Sequence, residues 1–319
     1  MPLFSIEICA GAGGMALGLR RAGFQHKVLV ELDEDACKTL GTAFGSTAVR
    51  QEDVANFDGS PFRSGIDLLA GGVPCQPFSV AGEQLGEGDE RDLFSHAMRL
   101  VREIMPRAVL LENVPGFASE KFSEYREKIK RELAASGYET QLRVLKASDF
   151  GVPQVRPRCL LVAMQPQYMA HFRWPAPTRS TPVTVGEALV DIMGSRCLPW
   201  PGAQAWAERA NRPAPTLVGG SKKHGGADLG PSRARAAWAE LGVNASSLAD
   251  DAPSALFPED GHPRLTLEMC KRLQGFPDDY RIMGSKTSSY RQIGNALPPP
   301  VAHAVGREIF RVLARTWRG

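Results

Sequence analysis

The sequence predicts an α/β fold: a mainly parallel sheet with helices on both faces, carrying a small irregular domain inserted late in the chain. Three observations predict it. Short apolar runs at residues 3–9, 28–31, 66–70, 108–111, 142–145 and 159–163 have the length of buried strands, and segments of helical period separate most of them. A glycine-rich turn, Ala10-Gly11-Ala12-Gly13-Gly14, comes after the first run, where doubly wound folds pass from strand to helix. The rhythm stops near Tyr168, and Pro175, Pro177, Pro182, Pro199, Pro201, Pro213 and Pro215 interrupt the chain beyond it.

At 319 residues the chain suits one large domain with a small one. Hydrophobic residues at 43% and charged ones at 23% are ordinary for a globular protein and exclude a disordered chain. The six cysteines, Cys9, Cys37, Cys75, Cys159, Cys197 and Cys270, form no C-x-x-C pair, so neither a disulfide framework nor a metal site is expected. No basic region precedes an apolar run at the start, and no apolar segment reaches about 18 residues. Neither a secretory signal nor a membrane partner is expected, and a reducing cytoplasm is the default. A net charge of +3 says little about partners. Between His171 and Arg235, however, nine Arg and Lys stand against four acids. That excess suits phosphate contacts, although a solvated basic face gives the same count.

In chain order, residues 3–9 form the first strand, and the helix after the glycine turn ends at Gly23. Residues 28–31 form the second strand with Glu31 at its tip. Gly11, Gly13 and Ala16 fit the dinucleotide pattern, and Glu31 stands about where that pattern keeps its ribose-binding acid. Glycines let the backbone approach a ligand, and the acid accepts from both ribose hydroxyls. The same geometry serves any adenosine-containing cofactor. On this stretch a nicotinamide dehydrogenase and an S-adenosylmethionine (AdoMet) methyltransferase both stay open. Asp53, in Gln51-Glu52-Asp53-Val54, reads on its own as a turn-forming acid.

The run at 66–70 closes in Gly71-Gly72, and Val73-Pro74-Cys75-Gln76-Pro77-Phe78-Ser79 comes next. Open α/β sheets place ligands at such strand ends, yet a lone cysteine is more often a small buried hydrophobe. Residues 80–90, with Gly82, Gly86 and Gly88, read as a mobile loop that closes on a substrate. Residues 92–104 make a helix with Leu93, Phe94, Ala97, Leu100, Val101 and Ile104 on one side, stopped by Pro106. The strand at 108–111 delivers Glu112-Asn113-Val114. A helix from Ser119 places Phe122, Tyr125, Ile129 and Leu133 on one face before Gly137. Gln154-Val155-Arg156-Pro157-Arg158 lies between the last two strands. An acid and two arginines at neighbouring strand ends change the reading of Cys75, because nucleophile, acid and cation together make a covalent site. An ion pair between the arginines and Glu112 is compatible with that role.

Past the prolines, residues 212–230 are loop-like and rich in Gly, Lys and His, including Gly219, Gly220, Lys222, Lys223, His224 and Gly225. Such glycines allow close approach to a nucleic-acid backbone, and Arg and Lys supply phosphate and guanine contacts. A short helix at 231–241 turns Ala234, Trp238 and Leu241 inward and projects Arg233 and Arg235 from its first turn. A last helix begins at Pro298–Pro300 and faces the sheet with Val301, Val305, Ile309 and Leu313.

Pro74-Cys75-Gln76, Glu112-Asn113-Val114, the Gln154/Arg156/Arg158 pattern and Gln292-Ile293-Gly294-Asn295 resemble, in order, the motifs of the DNA (cytosine-5) methyltransferase family. The resemblance runs from Phe4 to about Val305, leaving about 169–262 unmatched. It implies a Rossmann-like AdoMet-dependent domain at residues 1–168 and 284–319, and a target-recognition domain at 169–283. It implies Cys75, Glu112, Arg156 and Arg158 as catalytic residues acting on a flipped-out cytosine of double-stranded DNA, with Arg156 orienting Glu112 or a phosphate. AdoMet would be held by Cys9, Ala10, Gly11, Gly13, Gly14, Glu31, Leu32, Asp53, Pro74, Asn295 and Ala296. DNA would meet Gln76, Ser79, Lys222, Lys223, His224, Arg233 and Arg235. Cys9 departs from the family's usual Phe, whose ring packs on adenosine, and Leu297 from its usual valine. A monomer encoded beside a restriction endonuclease is the expected setting. RNA as substrate, or a silent DNA-binding relative, are the alternatives.

Overall fold

The computed structural model describes residues 2–73, 93–195, 198–221 and 226–315. They divide into two compact units. The first holds residues 1–145, 157–176 and 301–319, and is built on one seven-stranded sheet. Its strands are β1 (Leu3–Ile8), β2 (Phe24–Glu31), β3 (Val49–Gln51), β4 (Leu68–Gly72), β5 (Ala108–Asn113), β6 (Glu139–Lys146) and β7 (Pro157–Met164), in the order β3-β2-β1-β4-β5-β7-β6. The pairs β1–β2, β1–β4, β2–β3 and β4–β5 are parallel, as in a doubly wound fold. β7 departs from that pattern. It runs antiparallel to β5, from Ala108 opposite Met164 to Asn113 opposite Cys159.

β4 and most of β5 read as unbroken apolar runs because both of their faces are covered. Ile6 and Ile8 of β1 join one core, and Leu29 of β2 another with Ala10, Ala16 and Leu40. Helix α1 (Gly14–Ala22) starts at Gly13 and ends at Gly23, with φ of 75° and 112°. α2 (Glu34–Phe44) is capped by Asp33, which accepts from Ala36 N at 3.1 Å. α3 (Leu93–Ile104) buries Phe94, Ala97, Leu100, Val101 and Ile104 as its periodicity predicts. The helix expected from Ser119 starts later. Two 3-10 turns, Pro115–Ala118 and Glu120–Phe122, come first, and α4 (Ser123–Ala135) succeeds them. β3, only three residues long, is too short to show a period. α5 (Pro166–Met169) is a single turn after β7.

The second unit comprises residues 146–156 and 177–300. Among its described residues it has helices but only isolated bridges, Gln154 with Ala214 and Pro199 with Ser254. The helices are α6 (Val185–Met193), α7 (Ala203–Arg209), α8 (Ser232–Ala239), α9 (Leu267–Leu273) and α10 (Lys286–Asn295). Thr184 and Glu187 form a capping box on α6, and Ser285 caps α10. Three tryptophans, Trp200, Trp206 and Trp238, anchor the core of this unit. Large aromatic side chains concentrate burial where regular strands are missing. α11 (Pro299–Arg315) then re-enters the first unit, where Phe310 packs edge-on against Phe24 at 5.4 Å. These boundaries differ from the sequence-based division at 168/169 and 283/284: residues 169–176 lie in the first unit, and 146–156 and 284–300 in the second.

Candidate active site

The ends of β4 and β5 and the start of β7 meet at one edge of the sheet. Gly72 lies opposite Glu112, and Glu112 opposite Leu160. Because β7 is antiparallel, its first residues reach this edge, which brings Arg158 beside Glu112. Arg158 Nε stands 2.9 Å from Glu112 Oε1, and the two side chains are only 11% and 12% exposed. Burial pulls the Arg158 guanidinium below its usual range, and the Glu112 charge offsets part of that pull. A Cβ on Gly72 would sit 3.4 Å from Glu112 Oε2, so glycine there leaves that oxygen room.

Asn113 is a residue to which the sequence alone gives no role. Its Nδ2 donates to Val73 O at 2.8 Å, and its Oδ1 accepts from Val114 N at 2.8 Å. The chain is thereby tied to β5 two residues before Cys75. The one local signal is an amide directly after a strand-end acid. Pro74, Cys75, Gln76 and Ser79 themselves lie outside the described residues, as do Lys222, Lys223 and His224.

Arg156 corrects an expectation. Instead of orienting Glu112 or a phosphate, its guanidinium binds main-chain carbonyls. Nη1 donates to Leu217 O at 2.8 Å, and Nη2 to Gly294 O at 2.7 Å and Ala296 O at 2.9 Å. In a strand, residues 156 and 158 would share a face. Arg156 instead has φ of 22°, which breaks the alternation, and it is fully buried. Gln154 works beside it, accepting from Leu217 N at 2.9 Å and donating to Gln274 Oε1 at 2.8 Å.

The glycine turn forms a cradle at the end of β1. Cys9 and Gly11 have φ of 51° and 53°, and a Cβ added at Gly11 would meet nothing within 4 Å. Gly13 N closes the turn on Ala10 O at 2.9 Å, and Gly13 and Gly14 start α1. Glu31 is held by three main-chain donors: Gly11 N at 2.7 Å on Oε2, with Leu32 N at 2.9 Å and Asp33 N at 2.8 Å on Oε1. Leu32 beside it is 62% exposed, an unusual position for a large apolar side chain next to a fixed acid. Asp53 comes after a link from Glu52 N to Glu31 O at 3.0 Å, and its Oδ1 accepts from Ala55 N at 2.9 Å. It is thus a turn-former and a neighbour of the cradle at once. Burial, with Glu31 and Asp53 nearby, pushes the Cys9 thiol up to about 12, so it stays protonated.

A strand-end acid–arginine pair beside an adenosine-type cradle separates the two cofactor classes, and comparison with known proteins decides between them. The profile of the C-5 cytosine-specific DNA methylases matches residues 3–311. The chain belongs to that family. This methylase is 53% identical to the Type II methyltransferase M.NaeI of Lentzea aerocolonigenes, over 97% of this chain and 75% of the relative. It is 48% identical to M.NgoMIV of Neisseria gonorrhoeae, over 99% of both chains. Among solved structures, a prophage-encoded E. coli chain aligns over 98% and 99% with a TM-score of 0.68 at 27% identity. DNMT2 of Spodoptera frugiperda shares the fold, covering 97% of this chain and 99% of its own with a TM-score of 0.65 at 18% identity.

The methylase transfers a methyl group from AdoMet to carbon 5 of cytosine in DNA. The cradle fits that cofactor: an open glycine, a carboxylate already oriented by three N–H groups, and an exposed leucine beside it. Asn295 and Ala296 sit in the second unit. There Asn295 Nδ2 donates to Gly220 O at 3.1 Å, and Ala296 O is held by Arg156. Of the recognition residues, Arg233 and Arg235 both lie exposed on α8. Arg235 is drawn to Gly230 O at 2.9 Å and Asp228 at 3.4 Å. Gly219, from its sequence setting, is expected to admit a DNA backbone. It admits the protein's own: a Cβ there would lie 2.5 Å from Arg291 O and 2.5 Å from Asn295 Oδ1.

Proposed function

We propose that the methylase modifies one cytosine within a specific duplex sequence, flipped out of the stack, as the protective partner of a restriction endonuclease. The observation that carries this reading is the buried Glu112–Arg158 pair, set one strand from the residues that lead into Cys75. The Type II bacterial relatives support the pairing with an endonuclease. No helix among the described residues is long and apolar enough to cross a membrane. The bacterial relatives support work on DNA in the cytoplasm, for which a single copy of the chain is proposed.

Carbon 5 of cytosine is too weak a nucleophile to take a methyl group unaided. The Cys75 thiolate attacks carbon 6 and turns carbon 5 into an enamine carbon. Glu112 shares a proton with ring nitrogen 3 and so balances the negative charge that builds on the ring, while Arg158 holds both Glu112 and the ring carbonyl oxygen. Bound AdoMet supplies an electrophilic methyl group. Loss of the carbon 5 proton and elimination of the thiol then restore the ring. Cys9, Ala10, Gly11, Gly13, Gly14, Glu31, Leu32 and Asp53 hold the cofactor, and the family motifs add Pro74, Asn295 and Ala296 as further cofactor residues. Arg156 positions residues 217–220 and the end of α10. Gln76, Ser79, Lys222, Lys223, His224, Arg233 and Arg235 meet DNA, which must present an unstacked base.

Bisulfite sequencing of DNA from cells expressing the protein tests the whole proposal. Methylation at one short motif is expected, and none from Cys75→Ser. Duplexes carrying 5-fluorocytosine should trap a covalent adduct with the native protein only. Normal methylation by Cys75→Ser would remove that residue from the mechanism.

A further inference from the structure

Beneath the glycine turn, β1 carries an acid that the methyl-transfer scheme does not use. Glu7 is 1% exposed and lies in register with Leu29 of β2 and Ala70 of β4. Its carboxyl accepts the Ala16 N–H in the first turn of α1, a helix that begins on a glycine with no capping side chain. Oε2 is buried and has no hydrogen-bond partner.

The groups facing this carboxyl bring negative charge or none. Glu31 stands at the end of β2, and the Cys9 thiol at the end of β1 feels Glu7, Glu31 and Asp53 together. His26 of β2 is neutral, its ring between Ser5 Oγ at 2.9 Å and Ala16 O at 2.8 Å. Arg20 of α1 is engaged elsewhere, with Ala43 O at 2.7 Å and the Phe44 ring at 4.4 Å. β4 contributes only Ala70 and Gly71 at this level. No ion pair reaches Glu7 among the described residues. An isolated buried carboxylate is costly, and burial with Glu31 nearby pushes Glu7 well above the usual range. Burial and the lack of an ion pair thus favour the protonated carboxyl over the carboxylate.

We propose that Glu7 senses the charge of the cofactor: it keeps its proton while the cradle is empty or holds the neutral thioether product, and releases it when the sulfonium cation of AdoMet is bound. The proposal rests on the placement of AdoMet at the glycine turn. The balance is simple. One O–H bond of the carboxyl breaks, its proton passes to solvent, and the remaining carboxylate offsets the sulfonium charge through a medium of low dielectric. Cofactor affinity then gains on product affinity as pH rises, because only cofactor binding is linked to proton release. The device favours exchange of spent product for fresh cofactor.

Titration calorimetry of the full chain with AdoMet and with S-adenosylhomocysteine tests this. Near neutral pH, two buffers of different ionisation enthalpy count the protons released per ligand bound. AdoMet should release more, by an excess approaching about one proton per site. Glu7→Gln keeps an acceptor for Ala16 N–H and should remove the excess while both ligands still bind. Equal proton counts in the native protein, or an excess that survives in Glu7→Gln, would overturn the proposal. The native protein also gives a check free of any folding defect: its ratio of the two dissociation constants should shift toward AdoMet as pH rises, and a flat ratio refutes the sensor. If neither ligand binds, the placement of the cofactor fails first, and that outcome is distinct from equal counts.

Discussion

His26 shows how much one side chain can set at the residue scale. Its Nε2 donates to Ala16 O, and in the neutral ring that burial favours its Nδ1 accepts from the Ser5 hydroxyl. Burial lowers its pKa to about 4. The unfolded chain, with an ordinary histidine near 6.5, therefore binds the proton first as pH falls. The stabilisation is full above the unfolded value and disappears as pH drops toward the folded one, a loss of about 3 kcal/mol at most. Denaturant titrations near pH 7 and pH 5 should show native stability falling, and a smaller fall in His26→Gln. An equal fall in both would place the acid sensitivity elsewhere. At the same scale, Arg158→Lys should cut the single-turnover methylation rate roughly a hundredfold, with AdoMet binding unchanged, because an ammonium cannot reach two acceptors as the planar guanidinium does. A near-native rate would leave Arg158 as no more than a buried counter-ion.

Elements place these residues, and glycines decide how closely the elements meet. The antiparallel direction of β7 delivers Arg158 to Glu112; a parallel strand would have brought Met164 to that edge instead. Gly11 and Gly219 are glycines for opposite reasons. At Gly11 the obstacle is conformational, since φ is 53° and nothing lies within 4 Å of an added Cβ. Gly11→Ala should cost about 1–2 kcal/mol in stability and weaken AdoMet binding by intruding on the cradle. At Gly219 the obstacle is contact with α10 at 2.5 Å. Gly219→Ala should destabilise the second unit by roughly 1–3 kcal/mol. Thermal melts read the stability of each variant and calorimetric titration the cradle in Gly11→Ala, and a native melting temperature for Gly219→Ala would contradict the contact with α10.

On the scale of the whole molecule, each unit has its own core, one built on the sheet and the other on three tryptophans. The charge excess seen between residues 171 and 235 is thinned by internal pairing: Arg212 with Glu240 at 3.0 Å and Arg235 with Asp228 at 3.4 Å. Arg233, exposed on α8, belongs to no ion pair among the described residues. Arg233→Ala should therefore lower DNA affinity or relax one base position, by ~1–3 kcal/mol if it reads guanine. Arg235→Ala should do less. Binding to a randomised duplex library at several salt concentrations distinguishes base reading from phosphate contact. Identical behaviour of both variants and the native protein would move recognition off α8.

Residue type and local spacing by themselves determined the chemistry of this protein. The glycine turn with Glu31, and the acid and arginine flanking the sequence around Cys75, were legible because each motif is a few residues long. Strands at 3–9 and 108–111 and the helix before Pro106 were legible because apolar period is local. Tertiary structure alone decided that β7 runs antiparallel, that Arg156 holds carbonyls while Arg158 holds Glu112, that Gly219 makes room for α10, and that Asn113 anchors Val73. All four depend on partners distant in sequence. A strand's own sequence does not record its neighbour or its direction, and a single residue at φ of 22° is enough to turn one of two closely spaced arginines away from the other.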